Sequence, residues 1–121
     1  WIALSDVAEA LGPMRFVRGS HSWGFLNQGD FYGKDQQALQ EGIEMPEGAV
    51  WEEVPALLPS GGLSVHHCLT FPGSGANISD GPRWSLAVHL RNEKSDPVPG
   101  DDSYYTAHFD DPQICPVMYE A

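Results

Sequence analysis

The alternation of hydrophobic and polar positions predicts short β-strands joined by loops, with no helix longer than a few turns. Strands are predicted near residues 1–6, 14–18, 63–71 and 83–90. The segment "AVWEEVPALLP" predicts a further short strand with an extended exit, because its two prolines preclude a regular helix. The segment "SYYTAHF" predicts an edge strand. In "RWSLAVHLR" the alternation places Arg83, Ser85, Ala87 and His89 on one face and Trp84, Leu86, Val88 and Leu90 on the other.

Residues 22–50 have the weakest pattern and predict a long loop excursion. Such a loop in a compact domain is usually functional or poorly ordered. The chain has 121 residues, and we interpret residues 1–121 as a single domain. Several short strands with long connections indicate a β-sandwich or a barrel.

The charge of the chain narrows its possible partners. Seventeen acidic residues against six basic ones give a net charge of -11, which argues against nucleic acid and anionic membrane surfaces as partners. No apolar run approaches the roughly 20 residues that a membrane span needs. Cys68 and Cys115 lack a CxxC spacing, which argues against a disulfide framework or a zinc site. A cytoplasmic location is therefore expected.

Arg83 is the most informative candidate for a binding residue. An arginine at the head of a strand, followed on the same face by Ser85, offers a guanidinium fork and a hydroxyl to one carboxylate. An exposed edge-strand arginine that limits aggregation fits the same pattern, and both interpretations stay open. His66 and His67 point to opposite faces of the predicted strand, so at most one of them faces a given pocket. Gly73-Ser74-Gly75 either presents backbone amides to an anion or is only a turn.

The order and spacing of these motifs resemble a known family. "WIALSDV…LGPMRFVRGSH" followed by "GGLSVHHCLTFPGSGANISDGPRWSLAVHL" is similar to the phytanoyl-CoA dioxygenase family of iron(II)/2-oxoglutarate oxygenases. The resemblance covers residues 1 to about 91, and its GSGxNxS…R segment is specific. It implies a mostly β fold, a double-stranded β-helix of jelly-roll or cupin-like type. In this family an HxD pair and a distal histidine bind iron and leave open positions for other ligands.

The resemblance implies that four residues contact the cosubstrate. Arg83 matches the arginine that holds the far carboxylate of 2-oxoglutarate, and Ser85 lies two residues further along the same face. Ser74 matches a serine that contacts the cosubstrate, and Trp1 matches a tryptophan that lines the same pocket. Pro72, eleven residues before Arg83, stands where the family has its iron-binding distal histidine.

The same resemblance implies that the iron centre is incomplete. The HxD pair is expected before Trp1, so we interpret the chain as lacking it and as having no metal ligand at the family's positions. His67 lies on the opposite face of a regular strand from Pro72 and is a poor substitute ligand. Because the sequence opens directly on an apolar strand, we interpret it as the later part of a longer protein, a partial β-helix without its N-terminal strands. Apolar positions such as Ile2 and Leu4 are then expected to be uncovered.

Two functions follow from these expectations. In the first, the chain is the C-terminal part of a dioxygenase that hydroxylates a small organic substrate, and is inactive by itself. In the second, it is a catalytically dead homologue that acts as a carboxylate-binding or interaction module. The identity of the substrate and the oligomeric state stay open.

Overall fold

The computed structural model describes residues 1–26, 41–96, 100 and 104–119. These residues belong to two compact units, Trp1–Val88 and His89–Ala121. The predicted loop at residues 22–50 lies partly outside the described residues, since residues 27–40 are not among them. The interpretation of residues 1–121 as a single domain stays a prediction.

Short β-strands dominate the first unit. Within the described residues they are β1 (Ile2–Ala3), β2 (Met14–Val17), β3 (Glu53–Pro55), β4 (Pro72–Ser74) and β5 (Ser85–Leu86). β1 and β5 form a two-stranded antiparallel sheet, and β2 lies between β3 and β4 in a second antiparallel sheet. An isolated bridge joins Ile2 to Leu63, and another joins Val7 to Leu58. The prediction of a β-rich chain is confirmed, and the described strands do not close into a barrel.

Two turns of 3-10 helix follow the first two strands. Glu9–Leu11 ends at Gly12, whose φ of 62° lies in the left-handed region. Ser20–Trp23 begins after Gly19, with a φ of 75°. Glycine adopts this conformation without the steric cost that a Cβ brings. The sequence "DVAEALGP" contains residue types that favour such a turn-like connection ending at Gly12-Pro13.

The buried core of the described residues is small. Its hydrophobic members are Ala3, Val7 and Val17, and Ser20 is the buried polar residue. The Ser20 hydroxyl donates to the carbonyl of Val17 at 2.8 Å and accepts from the amide of Phe71 at 2.8 Å. The buried hydroxyl therefore has both an acceptor and a donor partner, as buried polar groups usually do. Through these two bonds Ser20 joins the end of β2 to the residue that precedes β4.

The strand predicted over residues 63–71 is wrong. Leu63 forms only a bridge, and the chain turns at residues 67–70, where the amide of Thr70 donates to the carbonyl of His67 at 2.9 Å. The His67 side chain stabilises this turn, because its Nδ1 accepts from the amide of Leu69 at 3.1 Å. Such local hydrogen bonds compete with the pairing of strands.

The strand predicted over residues 83–90 is shorter than expected, and only Ser85–Leu86 is regular. On one side the ladder ends because the amide of Trp84 donates to the side chain of Ser5. On the other side the regular pairing ends with Ile2 opposite Leu86. The predicted strand at residues 14–18 is confirmed by β2, and the short strand of "AVWEEVPALLP" is confirmed by β3.

The second unit contains a short α-helix, Tyr104–Ala107. The edge strand predicted for "SYYTAHF" is therefore wrong. The sequence Asp-Asp-Ser before this helix contains residue types that favour a helix start, which the alternation pattern did not reveal. Among the described residues, no helix has the length and apolar character that crossing a membrane requires.

Candidate carboxylate-binding site

The guanidinium of Arg83 lies beside the indole ring of Trp1. Its central carbon is 5.8 Å from the ring centroid, within the range of a cation–π contact. Arg83 is half-buried, and its Nη1 donates a hydrogen bond to the carbonyl of Gly12. One side of the guanidinium is thus fixed by an aromatic ring and a backbone oxygen.

The register of the β1–β5 sheet explains why the side chains of Trp1 and Arg83 lie on one face. Ala3 opposes Ser85, so their side chains lie on the same face. Trp1 lies two residues before Ala3 and Arg83 two residues before Ser85, so alternation directs them to that face as well. Ala3 is fully buried, which identifies this face as the inner one, although Ser85 at the edge is exposed.

Trp1 itself is held by the neighbouring segment. Its amino group donates to the carbonyl of Ser64 at 3.0 Å, and the amide of Ser64 donates back to the carbonyl of Trp1 at 2.9 Å. This reciprocal pair fixes the backbone of Trp1 and hence the position from which its ring contacts Arg83.

Arg83 has no carboxylate partner among the described residues. By contrast, Arg15 pairs with Glu9, Arg18 with Glu52 and Arg91 with Asp110. The difference is informative because the chain has seventeen acidic residues and only six basic ones. A guanidinium carries five N–H donors, so hydrogen bonding to Gly12 leaves most of those of Arg83 available for an anion.

The Gly73–Ala76 segment approaches the same place through Gly12. A Cβ at Gly12 would lie 2.5 Å from the carbonyl oxygen of Gly75, so the two backbones are in direct contact. Ser74, the last residue of β4, is half-buried and pairs with Met14. Ser74 and Ser85 form no hydrogen bond with Arg83, whose described hydrogen bond goes to Gly12.

A side-chain network shapes the loop between Ser74 and Arg83. Asn77 Oδ1 accepts from the amide of Ser79 at 3.0 Å and from its hydroxyl at 2.7 Å, and Nδ2 donates to the carbonyl of Gly81 at 2.8 Å. This is the behaviour that makes asparagine common in turns. Asn77 and Ser79 are the N and the second S of the GSGxNxS segment, and these hydrogen bonds give both residues a structural role in the loop.

The segment that contains Trp1 and Arg83 matches a known protein family. The model of the phytanoyl-CoA dioxygenase family matches residues 1–85. The chain belongs to this family. No curated protein and no solved structure matches it. The matched segment contains Trp1, Pro72, Ser74, Arg83 and Ser85, whereas the second unit lies outside it.

Phytanoyl-CoA dioxygenases depend on iron and 2-oxoglutarate, and the described residues do not fit the iron. None of their His, Cys, Asp and Glu side chains form a group of three that could hold a metal ion. Pro72 has no side-chain donor atom, and a small cavity of about 160 Å³ beside it is lined by Gly24, Phe25, Leu26, Cys68, Leu69, Thr70, Phe71 and Pro72. A cavity with so few polar side chains does not suit a divalent cation.

His67 does not replace the missing ligand, for a reason other than the predicted one. The chain turns at residues 67–70, so the argument from opposite strand faces does not apply. The ring of His67 instead lies 5.9 Å from that of His21, and its Nδ1 accepts the amide hydrogen of Leu69. While that bond is made, Nδ1 is not available to a metal ion.

One tripeptide of the sequence does have the HxD spacing, so the expectation of a chain without HxD was wrong. His108-Phe109-Asp110 follows Pro72 and Arg83, whereas the pair of this dioxygenase family precedes both positions. Asp110 lies 3.7 Å from Arg91, whose guanidinium also stacks 4.6 Å from the centroid of Phe109. These contacts place Phe109 and Asp110 against Arg91, which belongs to the second unit and lies outside the residues that the family model matches.

Proposed function

We propose that this chain binds the far carboxylate of 2-oxoglutarate, or of a similar dicarboxylate, through Arg83 and has no iron centre of its own. The proposed fold is part of the family's double-stranded β-helix. The observation that carries the proposal is the half-buried Arg83, which has no acidic partner among the described residues, whereas Arg15, Arg18 and Arg91 each have one.

The surroundings of Arg83 suit a carboxylate physically. Partial burial weakens competition from water, so a charge-assisted hydrogen bond is stronger there than at the surface. The Trp1 ring and the Gly12 carbonyl restrict the guanidinium to one orientation, which lowers the entropy lost when an anion binds. Ser85, on the same face, offers a hydroxyl to the second carboxylate oxygen, and Ser74 is the proposed further contact.

Oxidation by this chain alone is not part of the proposal. The family's reaction needs iron, and the described residues offer no ligand set for it. Hydroxylation of a small organic substrate in a cytoplasmic setting is proposed only for a protein that supplies the missing ligands together with this chain.

A second candidate function is a binding or interaction module descended from an oxygenase. Pro72 favours it, because proline at the distal position removes a metal ligand while Arg83 stays in place. The two candidates differ in their response to metal. A module binds the dicarboxylate equally well with and without iron(II). Part of an oxygenase site is expected to gain affinity from iron(II), added anaerobically, once the missing ligands are supplied together with this chain.

Calorimetric titration with 2-oxoglutarate in the presence of a chelator tests the proposal. We expect Arg83→Gln to weaken binding by about 10- to 100-fold, the equivalent of one charge-assisted hydrogen bond. Arg83→Lys keeps the positive charge but loses the paired N–H donors of the guanidinium, so this variant is expected to bind 2-oxoglutarate with intermediate affinity. Arg18→Gln is the matched control, because Arg18 is exposed and already paired with Glu52. Equal affinity in the Arg83 and Arg18 variants, or no binding by the unaltered chain, would refute the proposal.

A further inference from the structure

The turn at residues 67–70 uses a histidine ring as one of its hydrogen-bond acceptors. His67 Nδ1 accepts from the amide of Leu69 at 3.1 Å, and the His67 carbonyl accepts from the amide of Thr70 at 2.9 Å. His67 therefore fixes the turn through its side chain as well as its backbone. The side-chain bond requires an unprotonated Nδ1, because a ring nitrogen that carries a proton is a donor and has no lone pair to offer.

A second histidine approaches this turn from another element. The ring centroids of His21 and His67 lie 5.9 Å apart. His21 belongs to the 3-10 helix Ser20–Trp23, and the hydroxyl of Ser20 accepts from the amide of Phe71, the residue that follows the turn. That bond holds the helix and the turn together and keeps the two imidazoles close. Histidine changes its charge between pH 5 and 8, and two imidazolium rings at this distance repel each other.

Two more titratable side chains lie within the same segment. The Sγ of Cys68 is 3.8 Å from His67 Nδ1, where it is a weak partner. The ring of His66 packs instead against Phe16 of β2, with 4.3 Å between the ring centroids.

The charged side chains at the end of β2 and in β3 are engaged with other groups. Arg18, which precedes the helix of His21, pairs with Glu52 at 3.1 Å, and Glu53 accepts from the indole N–H of Trp51 at 2.9 Å. A positive charge formed on His67 therefore acts first on its contacts with His21 and with the Leu69 amide.

We propose that the turn at residues 67–70 is a pH-sensitive segment, which is closed at neutral pH and loosened in mildly acidic solution when His67 takes up a proton. The proton occupies the lone pair that holds the Leu69 amide, so that N–H turns to water. The new charge also faces the ring of His21, which titrates in the same range of pH. Both effects act against the closed turn.

The position of the turn gives its loosening a consequence elsewhere in the fold. Cys68, Leu69 and Thr70 form one side of the cavity beside Pro72, and Pro72 begins β4. Protonation of His67 therefore acts on a wall of this cavity and on the entry to β4.

Amide hydrogen exchange of the whole chain, followed by NMR between pH 5 and 8 and corrected for the intrinsic effect of pH on exchange, tests this proposal. We expect the protection of the Leu69 amide to fall by about two- to fivefold toward pH 5, the equivalent of one exposed hydrogen bond. His67→Asn is the matched variant, because an asparagine Oδ1 accepts from the amide two residues on without titrating. Asn77 does so from the amide of Ser79 at 3.0 Å. This variant is expected to stay protected at both ends of the pH range.

Three further variants separate the contributions to the effect. His67→Ala removes the acceptor and is expected to leave the Leu69 amide weakly protected at every pH. His21→Phe keeps a ring but not its charge, so the loss of protection toward pH 5 is expected to be smaller. Cys68→Ala is the control and is expected to leave the pH dependence unchanged.

The unaltered chain decides the matter even where a variant fails to fold. The protection of the Leu69 amide is expected to fall with the same midpoint as the titration of the His67 ring, which the Cε1–H resonance reports. Equal protection at pH 5 and pH 8, or a midpoint that follows another histidine, would overturn the proposal. A pH dependence that persists in His67→Asn, or that disappears in Cys68→Ala, would overturn it as well.

Discussion

The carbonyl of Gly12 accepts a hydrogen bond from Arg83, and the same glycine is in backbone contact with Gly75. Gly12 therefore links the arginine of the candidate site to the segment that carries Ser74. The φ of 62° and the lack of a Cβ at Gly12 permit this close contact between the two backbones.

Gly12→Ala is expected to destabilise the chain and to weaken 2-oxoglutarate binding. The left-handed conformation costs alanine about 1–2 kcal/mol, and its Cβ would also lie 2.5 Å from the carbonyl oxygen of Gly75. Urea unfolding and ligand titration measure the two effects.

Gly19→Ala is the matched control for this substitution. Gly19 has a φ of 75°, but nothing lies within 4 Å of the Cβ position. It should show the conformational cost alone, with unchanged ligand affinity. Equal losses of stability and affinity in the two variants would contradict the linking role of Gly12.

Trp1→Leu is expected to weaken 2-oxoglutarate binding by about two- to fivefold, the equivalent of one cation–π contact at a partly exposed site. Trp1→Phe keeps an aromatic ring and is expected to lose less. The effect should vanish in an Arg83→Gln background, because the indole acts on the ligand through the guanidinium. A double-mutant cycle on calorimetric affinities measures this coupling. Additive losses would show that Trp1 acts independently of Arg83.

Ser20→Ala is expected to lower the free energy of unfolding by about 1–3 kcal/mol, because it removes a buried hydroxyl and leaves the partly buried amide of Phe71 without its acceptor. Ser22→Ala is the control. The Ser22 hydroxyl donates to the carbonyl of Gly19, but Ser22 is exposed, so water can replace that bond. Urea unfolding of both variants tests the difference. A Ser22 variant as destabilised as the Ser20 variant would contradict the assigned role.

Pro72→His is expected to yield no turnover. It restores a histidine at the family's distal position, but the described residues provide no group of three ligands. Succinate formation with iron(II), O₂ and 2-oxoglutarate is the assay, and His108→Ala checks the downstream HxD sequence. Succinate from the unaltered chain or from Pro72→His, abolished by a chelator, would show that another ligand set exists.

Hydrophobic alternation correctly predicted the central strand of the three-stranded sheet. β2 alternates over four residues and has a partner strand on each side, so its pattern and its structure agree. The turn at Gly12-Pro13 was evident from residue types that favour turns. The strand predicted at residues 63–71 was wrong because the chain turns there, and the ring nitrogen Nδ1 of His67 accepts a hydrogen bond from the backbone amide of Leu69. A pattern of hydrophobic positions does not reveal such a bond.

The candidate site depended on information that alternation does not contain. Period-two alternation placed Arg83 and Ser85 on one face, but the contact with Trp1 requires the β1–β5 register. The sequence did not indicate that the Gly12 carbonyl accepts a hydrogen bond from Arg83, because every residue has a backbone carbonyl. Which arginines pair with an acidic side chain, and that Arg83 does not within the described part of the chain, is likewise evident only from the folded structure.

The most direct test of the central claim is to follow the arginine side-chain Nε–H resonances by NMR during titration with 2-oxoglutarate and a chelator. The account predicts that the Arg83 resonance moves and saturates together with the indole N–H of Trp1. The resonances of Arg15, Arg18 and Arg91, which already have acidic partners, should stay in place. An unmoved Arg83 resonance at saturating ligand, or equal movement of all four arginines, would contradict a carboxylate site at Arg83.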